Sequence, residues 1–244
     1  MPALVCCDHL ADVTWNNSSE CNFTINEGLD VWQILIEDNI HLLNEYKSVL
    51  SDDEHFRSDR YYHEKDKDRF IVSRGNLRIL LGKYLKKEPG EIMFEIGNNK
   101  KPRIKKMGEG LYYNVSHSGN VILIAIAKGD VGVDVEKVEP AFPYKDVLTY
   151  IFSNEEIEDL NRFALPRERF YTLWTRKEAL LKATGKGIDD NLSLITCLDG
   201  KHAIDDNIIK SDNHFFINSF SVNEQYVGSV AANNTNLKMY KFVP

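Results

Sequence analysis

Cysteine is scarce in this sequence, and its spacing suggests neither a disulfide framework nor a zinc site. Four occur in 244 residues, Cys6, Cys7, Cys21 and Cys197, with no Cys-x-x-Cys pair and no histidine at metal spacing. That points to free thiols in a reduced, cytoplasmic setting. Long apolar runs are missing as well. The longest, Val121 to Ala127, is strand-sized, whereas a membrane helix needs about 20 residues. No Lys or Arg precedes Lys47, so the basic start of a signal peptide is lacking. Positive charge is in deficit: 30 Lys and Arg stand against 37 Asp and Glu, a net charge of −7, which argues against a general nucleic-acid binder. What remains is an ordinary globular balance, 43% hydrophobic and 27% charged, long enough for one large domain or two small ones.

Residues 1–28 are polar, Asn/Ser-rich and aperiodic, and read as a loosely ordered arm anchored by Trp15 and Phe23. Val31 to Ile36 has the β-branched and aromatic content of a strand. Residues 40–50 carry a helical rhythm. Ser51-Asp52-Asp53-Glu54 supplies an N-cap with an acidic first turn, opening a charged helical region through Leu85. Its apolar stripe is Leu77, Leu80, Leu81 and Tyr84, and Pro89-Gly90 closes it. Residues 92–96 read as a strand, Asn98-Asn99 as a turn, and residues 111–127 as two strands around Ser118-Gly119-Asn120. The second half repeats this grammar: a strand over 131–138, helix over 144–163 restarted by a capping box at Ser153, and a strong helix over 167–184 ended by Gly185 and Gly187. Strands over 215–222, 226–232 and 237–243 finish the chain. Two similar α+β lobes follow, with no Pro-, Gly- or Ser-rich linker between them.

Four constellations could carry chemistry. In Val131-Gly132-Val133-Asp134-Val135-Glu136 the valines share one strand face, and Gly132, Asp134 and Glu136 the other. Two carboxylates so placed repel each other; a hard divalent cation such as Mg²⁺ would remove that cost, and Gly132 would leave room for a ligand. The bland reading is a solvated strand face. On the helix over 167–184, Phe170, Leu173, Trp174 and Leu181 form an apolar stripe, with Glu178 and Lys182 four apart on its flank. Such a pair is most often a surface salt bridge, but that does not explain Lys177, which falls inside the stripe and needs a partner. Asn114-Val115-Ser116-His117-Ser118-Gly119 crowds hydroxyl, amide and imidazole groups. Ser and His point to opposite faces there and no G-x-S-x-G elbow exists, so phosphate binding suits them better than hydrolysis. Lys100 to Lys106 holds five basic residues in seven, which alone reads as a solvated hairpin tip.

In combination the chain closely resembles the Sfp-type 4′-phosphopantetheinyl transferases. The matching pieces are Lys101-Pro102, Asn114-x-Ser116-His117-Ser118, Gly132-Val-Asp134-Val-Glu136, and Trp174-Thr-x-Lys177-Glu178-Ala-x-x-Lys182-x-x-Gly185-x-Gly187, spread over about Arg57 to Gly187. The resemblance implies an α+β pseudo-dimer of two similar lobes, each a long helix packed on a small, mainly antiparallel sheet. The expected division is an arm over 1–28, a lobe over 29–130 with the nucleotide contacts, and a lobe over 131–244 with the metal ligands and catalytic helix. It also implies Mg²⁺-dependent (or Mn²⁺-dependent) transfer of the 4′-phosphopantetheine arm of coenzyme A to a serine of an acyl, aryl or peptidyl carrier protein, releasing adenosine 3′,5′-bisphosphate. Carried over by position, Asp134, Glu136 and Glu178 would bind the metal. Glu178, Lys182 and His117 would be catalytic. Arg57, Lys101, Pro102, Ser116, His117, Ser118 and Lys182 would contact coenzyme A, with Arg69 and Arg74 competing for the role of Arg57 at the 3′-phosphate. Lys177 would pair with an acidic group at the lobe interface. A cytoplasmic monomer, without nucleic acid or membrane, is expected.

The rivals are a non-catalytic module that holds coenzyme A or a carrier, and a metal-dependent nuclease. A binder would not need all three carboxylates. A nuclease would want a broad basic, aromatic-studded surface.

Overall fold

The computed structural model describes residues 2–97, 101–105 and 110–243. The expected turn at Asn98-Asn99 lies outside them, as do Lys100 and Lys106 at the ends of the basic run. Two five-stranded sheets form the frame. The first runs β8 (Val131–Lys137), β11 (Tyr226–Ala232), β10 (Phe215–Asn223), β1 (Ala3–Leu10), β9 (Gly200–Ile204). The second runs β2 (Asn16–Asn17), β12 (Leu237–Lys241), β3 (Leu29–Leu35), β7 (Val121–Ala127), β6 (Tyr112–Ser118). A short hairpin of β4 (Phe94–Ile96) and β5 (Pro102–Ile104) stands apart.

Each half follows one plan: a strand, a long helix, then a hairpin whose second strand returns to pair antiparallel with the first. In the first half these are β3, the helix Glu64–Leu85, and β6 with β7. In the second they are β8, the helix Pro166–Thr184, and β10 with β11. The expected pair of α+β lobes is therefore present, but the sheets are mixed, because the chain termini cross between them. β1 lies parallel to β10, and β12 parallel to β3.

This crossing corrects the reading of residues 1–28 as a loose arm. Ala3, Val5 and Cys7 alternate into the core beneath the second long helix; the pattern is brief and cysteine-interrupted, and its partner strands, β9 and β10, lie in the last fifth of the chain. Sheet membership also departs from the division into 1–28, 29–130 and 131–244, since β1 joins the second half's sheet and β12 the first half's. The charged region after Ser51 is two helices, Asp52–Ser58 and Glu64–Leu85. Strand β9 was not foreseen in the sequence.

Apolar residues fill three layers. The first long helix packs on the second sheet through Ile71, Leu77, Leu80 and Leu81, and the second long helix on the first sheet through Ala179, Leu180 and Ala183. Between the sheets, Val131, Val133 and Val135 meet Leu29, Val31 and Leu123. The opposite face of β8 therefore turns toward the second long helix. Gly132 is where they touch: a Cβ there would stand 2.0 Å from the Ala179 carbonyl oxygen and 2.3 Å from the Ala183 nitrogen. Gly132 makes room for a helix, not for a ligand.

Candidate active site

Strand β6 ends one sheet and β8 ends the other, and the two edges lie side by side at the lobe junction. No backbone ladder joins them among the described residues. Side chains do so instead, at the period of two that places them on one side of β6. Asn114 Oδ1 accepts from the Val133 N–H (2.9 Å), and Ser116 Oγ donates to Asp134 Oδ1 (2.8 Å). Ser118 Oγ accepts from the Lys137 N–H (3.1 Å) and donates to Glu136 Oε2 (2.9 Å). The turn that follows is pinned by the second lobe, where the Asn120 N–H donates to the Tyr226 hydroxyl at 3.0 Å. Gly119 is required there twice over, by a φ of +52° and by that hydroxyl, 2.3 Å from where a Cβ would sit.

Asp134, Glu136 and Glu178 come from two elements and act on one another electrostatically. Asp134 is buried, and burial holds its carboxyl above the ordinary range against the opposing pull of Lys182 and Ser116. Lys182 Nζ donates to Asp134 Oδ1 at 2.6 Å and to Ser116 Oγ at 3.1 Å. Burial and the charge of Asp134 raise Glu136, against the opposing effect of the hydrogen bond from Ser118. Burial, then Asp134, pushes Glu178 up to about 7; Glu136 adds to this and Lys182 opposes it. No ion pair links Glu178 to Lys182 among the described residues, so the surface salt bridge suggested by their spacing is not formed.

A hard divalent cation fits this set by chemistry. Of the three carboxylates only Asp134 is bonded to the Lys182 ammonium, and Asp134 Oδ2 is buried without a hydrogen-bond partner. Each unneutralised carboxylate raises the others, the cost that a cation among them would remove. Among the described residues no three His, Cys, Asp or Glu side chains are grouped so that they could hold a metal ion; Asp134 is bonded to Lys182 and Glu136 to Ser118.

His117 points to the other side of β6, exposed toward the first lobe. Partial burial lowers its pKa, and Arg69 and then Lys182 lower it further. Of the three arginines weighed for the 3′-phosphate, Arg69 is therefore the one placed near His117; its guanidinium bonds Asp66 at 2.6 Å. Arg57 lies over the Phe70 ring (5.3 Å), beside a small hollow shared with Arg60 and Tyr61. Arg74 is bound to Glu54 at 2.5 Å and covers Phe94. Lys101 and Pro102 line a cavity of about 360 Å³ with Asp130, Ala183 and Thr184. Lys101 Nζ also fastens the lobes, donating to the Val131 and Ala183 carbonyls at 2.9 Å each.

Lys177 pairs with an acid, as its place in an apolar stripe requires, but not at the lobe interface. Its Nζ donates to Glu156 Oε2 (2.7 Å) and to the Leu192 and Ile195 carbonyls (2.8 and 2.6 Å), all within the second half. Sequence reasoning missed the bracing of Glu136 by Ser118 and the Asn114 bridge. It also missed Arg176, buried and bonded to Ser219, Asp199 and the Asp8 and Cys197 carbonyls. The period-two spacing of Asn114, Ser116 and Ser118 was the available signal for the bridge.

Two family models match end to end: "4′-phosphopantetheinyl transferase, N-terminal" over residues 39–129 and "4′-phosphopantetheinyl transferase superfamily" over 130–231. A Synechocystis protein bearing the 4′-phosphopantetheinyl transferase name is 37% identical over 158 residues, covering 63% of this chain and 64% of that protein, just under two thirds of its length. The 4′-phosphopantetheinyl transferase HetI of Nostoc is 34% identical over 171 residues, 67% of this chain and 71% of that one. The 4′-phosphopantetheinyl transferase Sfp of Bacillus subtilis is 26% identical over 194 residues, 77% of this chain and 84% of that one.

Proposed function

This chain belongs to the 4′-phosphopantetheinyl transferase superfamily, whose general reaction moves the phosphopantetheine arm of coenzyme A to a carrier protein, and we propose how its own residues divide that work. The single observation carrying the proposal is that Lys182 of the second long helix bonds Asp134 of β8 at 2.6 Å, with Glu136 two residues on along the strand and Glu178 one turn back along the helix.

Asp134, Glu136 and Glu178 would hold a divalent cation, Mg²⁺ or Mn²⁺, whose chemistry there is to neutralise the diphosphate of coenzyme A. Lys182 offers an ammonium to the phosphate oxygens where negative charge builds up. His117 with Arg69 suits the nucleotide's 3′-phosphate, and Arg57 flanks the same lobe. The cavity beside Lys101 and Pro102 receives the base. In this reading the lobe over 29–130 supplies the nucleotide contacts and the lobe over 131–244 the carboxylates.

The carrier's serine oxygen bonds to the phosphorus bearing the pantetheine arm. The P–O bond to the second phosphate breaks, and adenosine 3′,5′-bisphosphate leaves with its electron pair. Glu178 takes the serine proton. Unlike Asp134 and Glu136, its carboxylate accepts no hydrogen bond among the described residues, and it faces the junction. The serine approaches beside the second long helix, over a cavity of about 420 Å³ lined by Phe142, Ile151, Phe170 and Trp174 that opens next to Glu136 and Ser118. The free cysteines suit a cytoplasmic setting, and no helix among the described residues is long and apolar enough to cross a membrane. We take the protein to act as a monomer.

Incubation with coenzyme A, Mg²⁺ and a panel of apo-carriers, followed by intact-mass measurement, tests this reading. One carrier gains the mass of a single phosphopantetheine, and chelator abolishes the gain. Transfer that persists in chelator would overturn the role given to the carboxylates.

A further inference from the structure

Two sheet edges that lie side by side ordinarily join by backbone hydrogen bonds. Here β6 and β8 meet without a ladder, and the register is nonetheless fixed. Asn114 reaches Val133 and Ser118 reaches Lys137, each across an offset of 19 residues, as two parallel strands held in one alignment. The middle rung, Ser116, and the last, Ser118, carry more than register, because each also holds a carboxylate of the candidate site.

Ser118 is the informative member. A hydroxyl has one hydrogen and two lone pairs. The Lys137 N–H occupies a lone pair, and the hydrogen goes to Glu136 Oε2. The hydroxyl is itself fixed from behind, because Gly119 and Asn120 are locked against Tyr226 of the second lobe. Trp174 of the second long helix lines the same cavity as Glu136 and Ser118. The Glu136 carboxylate of the second lobe is thus aimed by a hydroxyl of the first, and its direction depends on the lobes remaining in register.

We propose that Ser118 is a positioning residue: it spans the two lobes to aim the Glu136 carboxylate into the site, rather than contacting coenzyme A. The proposal rests on the reading of Glu136 as a cation ligand. Groups that orient a ligating carboxylate typically cost 10–100-fold in metal affinity when removed. Ser118→Ala deletes both of the hydroxyl's bonds; Ser118→Thr keeps them.

The test titrates Mn²⁺ into the full-length protein saturated with coenzyme A and without carrier, reading free Mn²⁺ by electron paramagnetic resonance. Coenzyme A binding in chelator is measured separately by calorimetry. For Ser118→Ala we expect the Mn²⁺ dissociation constant to rise at least about tenfold, coenzyme A affinity in chelator to stay within about twofold, and Ser118→Thr to restore Mn²⁺ affinity. Weakened coenzyme A binding in chelator with unchanged Mn²⁺ affinity would overturn the proposal and make Ser118 a nucleotide contact. Glu136→Gln separates the two layers. If it binds Mn²⁺ as well as wild type, the ligand assignment itself falls. If it binds weakly while Ser118→Ala matches wild type, only the positioning role falls. Melting temperatures of each variant establish that the fold is retained.

Discussion

Lys182 turns away from Glu178, its neighbour one helical turn back, and closes on Asp134 of β8 at 2.6 Å. The choice follows from burial. Asp134 is the more deeply enclosed carboxylate, so an ammonium beside it offsets the larger desolvation cost. It also fastens the second long helix to β8 beside the contact at Gly132.

Lys182→Ala is expected to lower kcat at least about 100-fold, because the ammonium sits where phosphate charge develops. It also costs about 1–3 kcal/mol of stability, since Asp134 keeps only Ser116 as partner. The double variant Lys182→Ala, Asp134→Asn recovers the melting temperature but not the rate. Steady-state kinetics with an apo-carrier decides the matter; a rate within about twofold of wild type, under 0.5 kcal/mol of barrier, would return Lys182 to a packing role.

Glu178 gives stability a pH dependence whose sign is fixed. Its folded-state value, about 7, lies above the ordinary 4.5. Between those values the folded chain holds a proton that the unfolded chain has released, so this group makes stability fall as pH rises through that window. In chelator, Glu178→Gln melts with wild type near pH 4 and about 3–6 °C above it at pH 8. Mg²⁺ with coenzyme A closes that gap by stabilising wild type alone. Parallel melting curves of the two proteins across this range would contradict the assignment.

Gly132→Ala forces a methyl group into the backbone of the second long helix. The helix must shift, moving Glu178 and Lys182 relative to β8. We expect a melting temperature lower by about 5 °C or more, and a kcat loss larger than the stability loss explains. Calorimetry and kinetics on the purified variant check this. A fully active, equally stable variant would restore the ligand-approach reading of this glycine.

Lys177 sits in the same helix with the opposite consequence. Lys177→Met leaves Glu156 buried with only the Ser153 and Cys197 N–H groups. Breaking such a pair costs about 3–5 kcal/mol. Activity per folded molecule should hold, because nothing in this network touches the site. Urea melts and single-turnover rates distinguish the two effects.

Carrier docking should be governed by apolar contact. Phe142, Tyr150, Phe163 and Leu165 are exposed on the segment leading into the second long helix, and the chain's net charge is −7. Raising salt from about 50 to 500 mM should therefore change the carrier KM by less than about threefold. A steep rise would make the run from Lys100 to Lys106 the electrostatic recruiter.

The sequence by itself determined the two lobes, the long helices and the opposed faces of β8. These are local properties: periodicity marks the helices, and alternation puts Val131, Val133 and Val135 on one side with Asp134 and Glu136 on the other. The residue types at the site were legible too, since carboxylates two apart and a Glu/Lys pair on one helix are unusual next to buried positions. Partners were not. Spacing offered Lys182 only Glu178 as a partner, and the fold brought the more deeply buried Asp134 to it instead. Gly132 read as space until the helix filled it. The strand Ala3–Leu10 carries too short a pattern to announce itself, and only pairing with β10 and β9 gives its backbone groups partners. Asn114, Ser116 and Ser118 read as phosphate ligands on their chemistry alone, with no partner on β8 visible in the sequence. The meeting of two sheet edges gives them backbone N–H groups and carboxylates of β8 as partners.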